Sequence, residues 1–260
     1  VTFTISKPGQ FSLELDGRHC NLHIFANPVE TFKKTPDTIY FGPGVHEAGA
    51  IELHDGQTLF IDGGAVVYGA VRAVGAANVS IVGHGILDQS KIARSDPTAW
   101  GTDGQINLIR CENVRIDGVI LRDSNLWTIT ASNCRNLLYK NVKTIGMWRY
   151  NSDGIDICNS RNVTVRDSFV RSFDDSLVVK GLKDFSDAPI RNILFECCVV
   201  WNDWGRALEI GAETSAPELS QVAFRDCDVV RTADVAMDAQ HGDRAAVTDL
   251  TFEKIRIEVD

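Results

Sequence analysis

What most constrains this chain is a short pattern that keeps returning: a turn residue, then Asn or a stand-in for it, then apolar-x-apolar. It reads Ala77-Asn78-Val79-Ser80-Ile81, Glu112-Asn113-Val114-Arg115-Ile116, Arg135-Asn136-Leu137 and Arg161-Asn162-Val163-Thr164-Val165. It continues as Arg191-Asn192-Ile193-Leu194-Phe195, Ser220-Gln221-Val222-Ala223-Phe224 and Thr248-Asp249-Leu250-Thr251-Phe252. After a first gap of 35 residues the intervals are 23, 26, 30, 29 and 28. A near-constant period of this length marks a chain that stacks one small unit on the next.

Each unit holds two or three short runs of alternating apolar residues rich in Val and Ile, and no stretch keeps a helical period. Strands this short are not stable alone. Stacked coil on coil, they pair in parallel with their counterparts, and the inward Val, Ile, Leu and Cys make one continuous core. Asn suits the turns, because it tolerates left-handed backbone and can bond its neighbours along the stack. The expectation is an all-β chain, a β-solenoid of the parallel β-helix kind, over residues 31–260. Residues 1–30 read differently. Phe3-Thr4-Ile5, Phe11 to Leu15 and Leu22 to Ile24 predict antiparallel hairpins around Pro8-Gly9 and Asp16-Gly17, the edge of a small sandwich-like sheet joined through Pro28. The closing strand, Phe252 to Val259, has no evident cap, so the chain is expected to continue.

In a solenoid, equal positions of successive coils form columns about 4.7–4.9 Å apart. Aligning Thr128 to Ser132, Gly154 to Cys158, Ser176 to Lys180, Ala207 to Gly211 and Ala236 to Gln240 puts Ile, Leu and Val on inward positions. The outward column then reads Thr130, Asp156, Val178, Glu209, Asp238. The position before each strand reads Trp127, Asp153, Asp175, Arg206, Val235, with Asp174 alongside. Carboxylates so stacked cannot all ionise at neutral pH, so one acid and one base stand together. Glycosidic hydrolysis needs that pair: an acid for the leaving oxygen and a carboxylate for water or for the sugar. Trp127, Trp148, Trp201 and Trp204 lie in or near these coils and could stack on sugar faces.

Charge narrows the partner. A formal net charge of -9 repels phosphate backbones and anionic lipid, so neither nucleic acid nor a membrane surface is expected. No apolar run of about 18 residues exists to span a bilayer. The chain opens on Val1 with no basic-then-apolar leader, so any export signal is expected to have been removed already. Seven cysteines without a CxxC spacing point to neither a metal site nor a redox pair, and Cys111, Cys158, Cys198 and Cys227 suit interior packing. No cofactor is expected, and nothing in the sequence sets an oligomeric state.

At this point the residues match a family. Asn151-Ser152-Asp153-Gly154-Ile155-Asp156-Ile157, followed by Asp174-Asp175-Ser176-Leu177-Val178-Val179, resembles the NTDGxDI and DD signatures of the polygalacturonase-like glycoside hydrolases. Ile81 to Asp88 is similar to the strand of that group ending in G-x-G-x-(I/L)-D. The resemblance covers roughly residues 50–240. It implies a right-handed parallel β-helix, a secreted or periplasmic enzyme, a polysaccharide or oligosaccharide substrate, and hydrolysis with inversion. By it Asp174 is the general acid, and Asp153 and Asp175 position and deprotonate water. Columns one coil apart suit the retaining separation of about 5–5.5 Å better than the inverting one of about 6.5–9.5 Å. On this point the resemblance is followed.

Two departures steer the substrate. Pectin-cleaving members carry Gly-His-Gly after the Asp pair, where this chain has Gly205-Arg206-Ala207. Their Arg-x-Lys falls on Asp238 to Arg244 without a counterpart. Asp156, Glu209 and Asp238 would repel a uronate, although Lys180, Arg206 and Arg244 offset that locally. The dextranase and isopullulanase group belongs to the same clan, which joins families 28 and 49; it lacks the His and sets a β-sandwich before the helix. Phe3 to Pro28 and Ile39 to His46 resemble that group. A neutral, α-glucan-like glycan is therefore expected, with substrate contacts from Asp156, Lys180, Arg206, Glu209, Asp238, His241, Trp127, Trp148 and Trp204. The alternatives are a polygalacturonase, a calcium-dependent pectate lyase and a non-catalytic carbohydrate-binding helix.

Overall fold

The computed structural model describes residues 2–17, 20–29, 31–94 and 104–258. The repeat-bearing region winds into a right-handed parallel β-helix, the hand in which parallel strands are almost always connected. Each full coil contributes three strands, one to each face. The first face stacks Thr38–Phe41, Thr58–Ile61, Ser80–Val82, Glu112–Asp117, Arg135–Lys140, Arg161–Arg166, Ile190–Glu196, Glu218–Arg225 and Ala246–Glu253. The second runs from Ile86–Asp88 through Lys143–Ile145 and Val199–Asn202 to Arg256–Ile257. The third stacks Ile106–Ile109, Ile129–Ser132, Ile155–Cys158, Leu177–Gly181, Leu208–Thr214 and Met237–Ala239. The long strand Ala65–Val74 pairs with the first strand of both the second and the third face and so joins them.

Inside, one residue type tends to follow another of like shape. Ile81, Ile116, Tyr139, Val165, Phe195, Phe224 and Phe252 are successive register partners, and the last three rings stack at 4.8 and 5.1 Å. Cys111, Cys134, Cys158, Cys198 and Cys227 are free and buried, as interior packing requires.

The turn Asn residues behave as their chemistry dictates. Asn78, Asn113, Asn136, Asn162 and Asn192, with Gln221 and Asp249 after them, all hold φ between 54° and 59°. Each Asn amide from Asn113 onward donates to the amide oxygen one coil earlier, at 3.2, 3.1, 3.0 and 2.9 Å in turn. One short polar side chain thus relieves the left-handed backbone and ties coil to coil.

The N-terminal region forms one hairpin, Gly9–Glu14 antiparallel to Asn21–Ala26. The strand expected at Phe3-Thr4-Ile5 does not form, because alternation makes a strand only where an edge is there to pair with. The hairpin lies on the second face. His23 and Phe25 pack on Phe169 with ring centres 4.8 and 5.3 Å away, and Gln10 Nε2 donates to the Asp167 carbonyl at 2.6 Å. At the other end, the strand expected over Phe252 to Val259 is broken by Lys254, at φ 54°, into Ala246–Glu253 and Arg256–Ile257. Val259 lies outside the described residues. Among the described residues no helix is long and apolar enough to cross a membrane.

Candidate active site

The third face carries the predicted columns in register. Thr130 pairs with Asp156, Asp156 with Val178, Val178 with Glu209 and Glu209 with Asp238. The column ahead of the strands is tied by the backbone: the carbonyls of Asp153, Asp175, Arg206 and Val235 accept from Thr128, Gly154, Ser176 and Ala207 at 2.9, 2.8, 2.8 and 3.0 Å. Coil stacking therefore brings Asp153, Asp174, Asp175, Asp156 and Glu209 together from positions as far as 56 residues apart in sequence.

One ammonium organises them. Lys180 Nζ donates to Asp153 Oδ2 at 2.8 Å and stands 3.1 Å from Asp156 Oδ1 and 3.9 Å from Asp175 Oδ2. The Trp127 ring covers it, with Nζ 4.1 Å from the ring centre. Burial alone would discharge Lys180, but Asp156 and Asp153 outweigh it and hold its pKa well above the ordinary lysine value. Burial first, and then Asp156, pushes Asp153 well above the ordinary carboxylate range against the pull of Lys180. Burial raises Asp156 to about 6 despite the same cation. These groups titrate as a unit.

Asp174 and Asp175 sit at the surface of this cluster, each 8% exposed, whereas Asp153 is 1% exposed. Burial, and then its neighbour Asp175, raises Asp174 above the ordinary range. The Asn151 N–H donates to Asp174 Oδ2 at 3.3 Å. The turn that presents the pair is clamped from below: Ser172 Oγ and Asn202 Nδ2 donate to the Asp174 carbonyl at 2.7 and 2.6 Å. Gly205 closes over it, and a Cβ there would lie 2.7 Å from Asp174 Oδ1 and 2.8 Å from Asp175 N.

Arg206 bridges toward the next coil. Its backbone N–H donates to Asp175 Oδ1 at 3.0 Å, and its Nε lies 2.8 Å from Asp238 Oδ2. Nη1 lies 3.8 Å from Asp175 Oδ1 and 3.9 Å from Glu209 Oε1.

Several expected substrate contacts are corrected by depth. Asp156, Lys180 and Glu209 are 0%, 3% and 1% exposed, so they lie beneath the surface that a sugar could touch. Their column position is outward, but neighbouring side chains close over them. Trp127 is half-buried on Lys180, and Trp201, 1% exposed, donates from Nε1 to Asp203. His241 is exposed and turned elsewhere: its Nε2 accepts from the Ala245 N–H at 3.4 Å, in a recess lined by Ala216, Pro217, Asp243 and Arg244. None of its contacts among the described residues reaches the Asp cluster. Asp88, the end of the predicted G-x-G strand, is buried in an ion pair with Arg122.

Trp204 and Trp148 do remain exposed, and two aromatics that sequence reasoning missed join Trp204. Tyr150 meets its ring edge-on at 5.3 Å, and Phe173 stacks on it at 5.7 Å with 5° between planes. This shelf adjoins Asp174 through Asn151 on one side and Gly205 on the other. Tyr150 and Phe173 each directly precede a motif, Asn151 to Ile157 and Asp174 to Val179. Asn202 and Ser172 are register partners, which coil alignment could have found.

A parallel β-helix with stacked acids on one face fits the polygalacturonase-like clan of glycoside hydrolases. The chain belongs to glycosyl hydrolases family 28, which matches residues 55–259. It is 27% identical over 105 residues to polygalacturonase QRT2 of Arabidopsis thaliana, a match covering 39% of this chain and 24% of that protein. Two solved structures share the fold: the hyperthermoactive exopolygalacturonase of Thermotoga maritima and Dex49A of Penicillium minioluteum. The first has TM-score 0.66 and 14% identity over 85% of this chain and 73% of its own. The second has TM-score 0.68 and 16% identity over 92% of this chain and 51% of its own.

Proposed function

We propose that the chain hydrolyses O-glycosidic bonds of a polysaccharide or oligosaccharide, outside the cytoplasm, with inversion at the anomeric carbon. Asp174 is the general acid, and Asp153 and Asp175 hold the attacking water, from which Asp175 takes the proton. The observation that carries this reading is the convergence of Asp153, Asp174 and Asp175 at one place on the third face. Asp174 reaches the surface with its proton held above the ordinary range, and beside it Asp153 and Asp175 share the Lys180 ammonium.

The substrate we propose is a neutral glycan. A uronate entering this strip would meet Asp174, Asp175 and Asp238, while both nearby cations, Lys180 and Arg206, are already engaged by carboxylates. The exposed shelf of Trp204, Tyr150 and Phe173 suits the apolar face of an uncharged sugar instead. Polygalacturonate is the second reading, supported by the name of the Arabidopsis relative. Reducing-end release from dextran, pullulan, polygalacturonate and rhamnogalacturonan, by the native protein and by Asp174→Asn, separates them. Release from a neutral glycan that disappears in Asp174→Asn is expected. Cleavage of polygalacturonate alone would overturn the substrate, and equal activity of the variant would overturn the mechanism.

A further inference from the structure

We propose that Glu209 is a positioning residue that keeps its proton and donates it in a hydrogen bond to Asp175, so that the pair, not Asp175 alone, presents the base. The assignment of Asp175 as base rests on the function proposed above; the location of the proton does not.

Glu209 stands on Leu208–Thr214 between Val178 and Asp238 in the outward column. Its carboxyl group and that of Asp175 stand side by side against one nitrogen, Arg206 Nη1, at 3.9 and 3.8 Å. Two carboxyl groups in contact hold one proton between them, because a second negative charge there would go uncompensated. The surroundings decide which keeps it. Asp175 accepts the Arg206 backbone N–H at 3.0 Å and faces Lys180 at 3.9 Å and the Arg206 guanidinium at 3.8 Å. Asp175 is thus the one of the two already supplied with a hydrogen-bond donor. Glu209 is 1% exposed, its Oε2 receives no donor from any described residue, and its nearest cation, Arg206 Nη1, stands off at 3.9 Å. An oxygen so placed is better as a donor than as an acceptor.

The charged groups facing Glu209 are few. Asp175 and Lys180 come from the preceding coil, Arg206 from its own, and Asp238 and Asp234 from the next, where Arg206 Nε takes up Asp238 at 2.8 Å. Burial first, and then the contact with Asp175, raises Glu209 to about 9, so the proton is present throughout the neutral range. The bond occupies one lone pair of Asp175 and leaves its other oxygen for the water. This chain thus stabilises its base with a neutral acid.

The test has two arms. In the infrared difference spectrum of native protein against Glu209→Gln at pH 7, the carbonyl stretch of one neutral carboxylic acid is expected in the native protein and absent from the variant. No such band overturns the proposal whatever the reaction proves to be. On whichever glycan of the panel is cleaved, Glu209→Ala is expected to move the acid limb of kcat/KM upward by about one pH unit, with KM unchanged. Glu209→Gln, whose amide N–H can donate to the same oxygen, should bring the limb back. A Gln variant as shifted as the Ala variant, or a raised KM with an unmoved limb, overturns the positioning role. If no glycan is cleaved, the hydrolase reading fails and the infrared band alone decides where the proton lies.

Discussion

At one corner of the coils, Asn113, Asn136, Asn162 and Asn192 stack like on like, each amide donating to the one before. At another corner of the same coils Thr130, Asp156, Val178, Glu209 and Asp238 stack unlike on unlike. There one ammonium serves three carboxylates, and Asp153 Oδ1 and Glu209 Oε2 have no donor among the described residues. The first corner is what a solenoid repeats in order to hold together. The second concentrates charge at one place, as the active site proposed here would.

The contrast can be broken at either corner. The largest effect belongs to the acids: Asp174→Asn is expected to lower turnover by roughly 10²–10⁴-fold, with an unfolding midpoint at or above the native one. A midpoint that falls along with the activity would mean the residue is structural. Next comes Lys180→Met, which strands Asp153, Asp156 and Asp175 without their shared cation. A loss of about 3–5 kcal/mol at pH 7 is expected, shrinking at pH 4, where the carboxyls take up protons; equal losses at both pH values would show that the ammonium is not their counterion. At the amide corner, Asn136→Ala removes two exposed hydrogen bonds and forces Ala to φ 59°, for about 1–2 kcal/mol. Activity should be unchanged, and Asn136→Gly should recover the backbone part in a denaturant titration.

The last test is one of pH. Glu209 has its pKa raised to about 9 from an ordinary value near 4.5. A group raised in this way contributes stability that is complete below the ordinary value and is lost as pH rises through the folded one. Glu209→Gln cannot ionise, so its unfolding midpoint relative to the native protein should climb steadily between pH 5 and pH 9. A flat difference would place the Glu209 proton elsewhere.

Much of this is legible in the sequence. Asn at intervals of 23 to 30 residues and the paired motifs at Asp153 and Asp174-Asp175 are local signals, and stacking turns local signals into columns. Depth was not legible. Asp156, Glu209 and Lys180 occupy outward positions, and only the packing of Trp127 and the next coil shows that they lie beneath the surface. His241, close to Asp238 in sequence, lines a separate recess with Ala216, Pro217 and Arg244.

By itself, then, the sequence determined the solenoid, its register and the convergence of acids on one face. Alternation and left-handed Asn turns admit no other way to satisfy so many short strands. Tertiary structure alone decided which acids reach solvent, which cation serves them and where the N-terminal hairpin docks. Those outcomes depend on how side chains from different coils close over one another, and no periodicity along the chain encodes that.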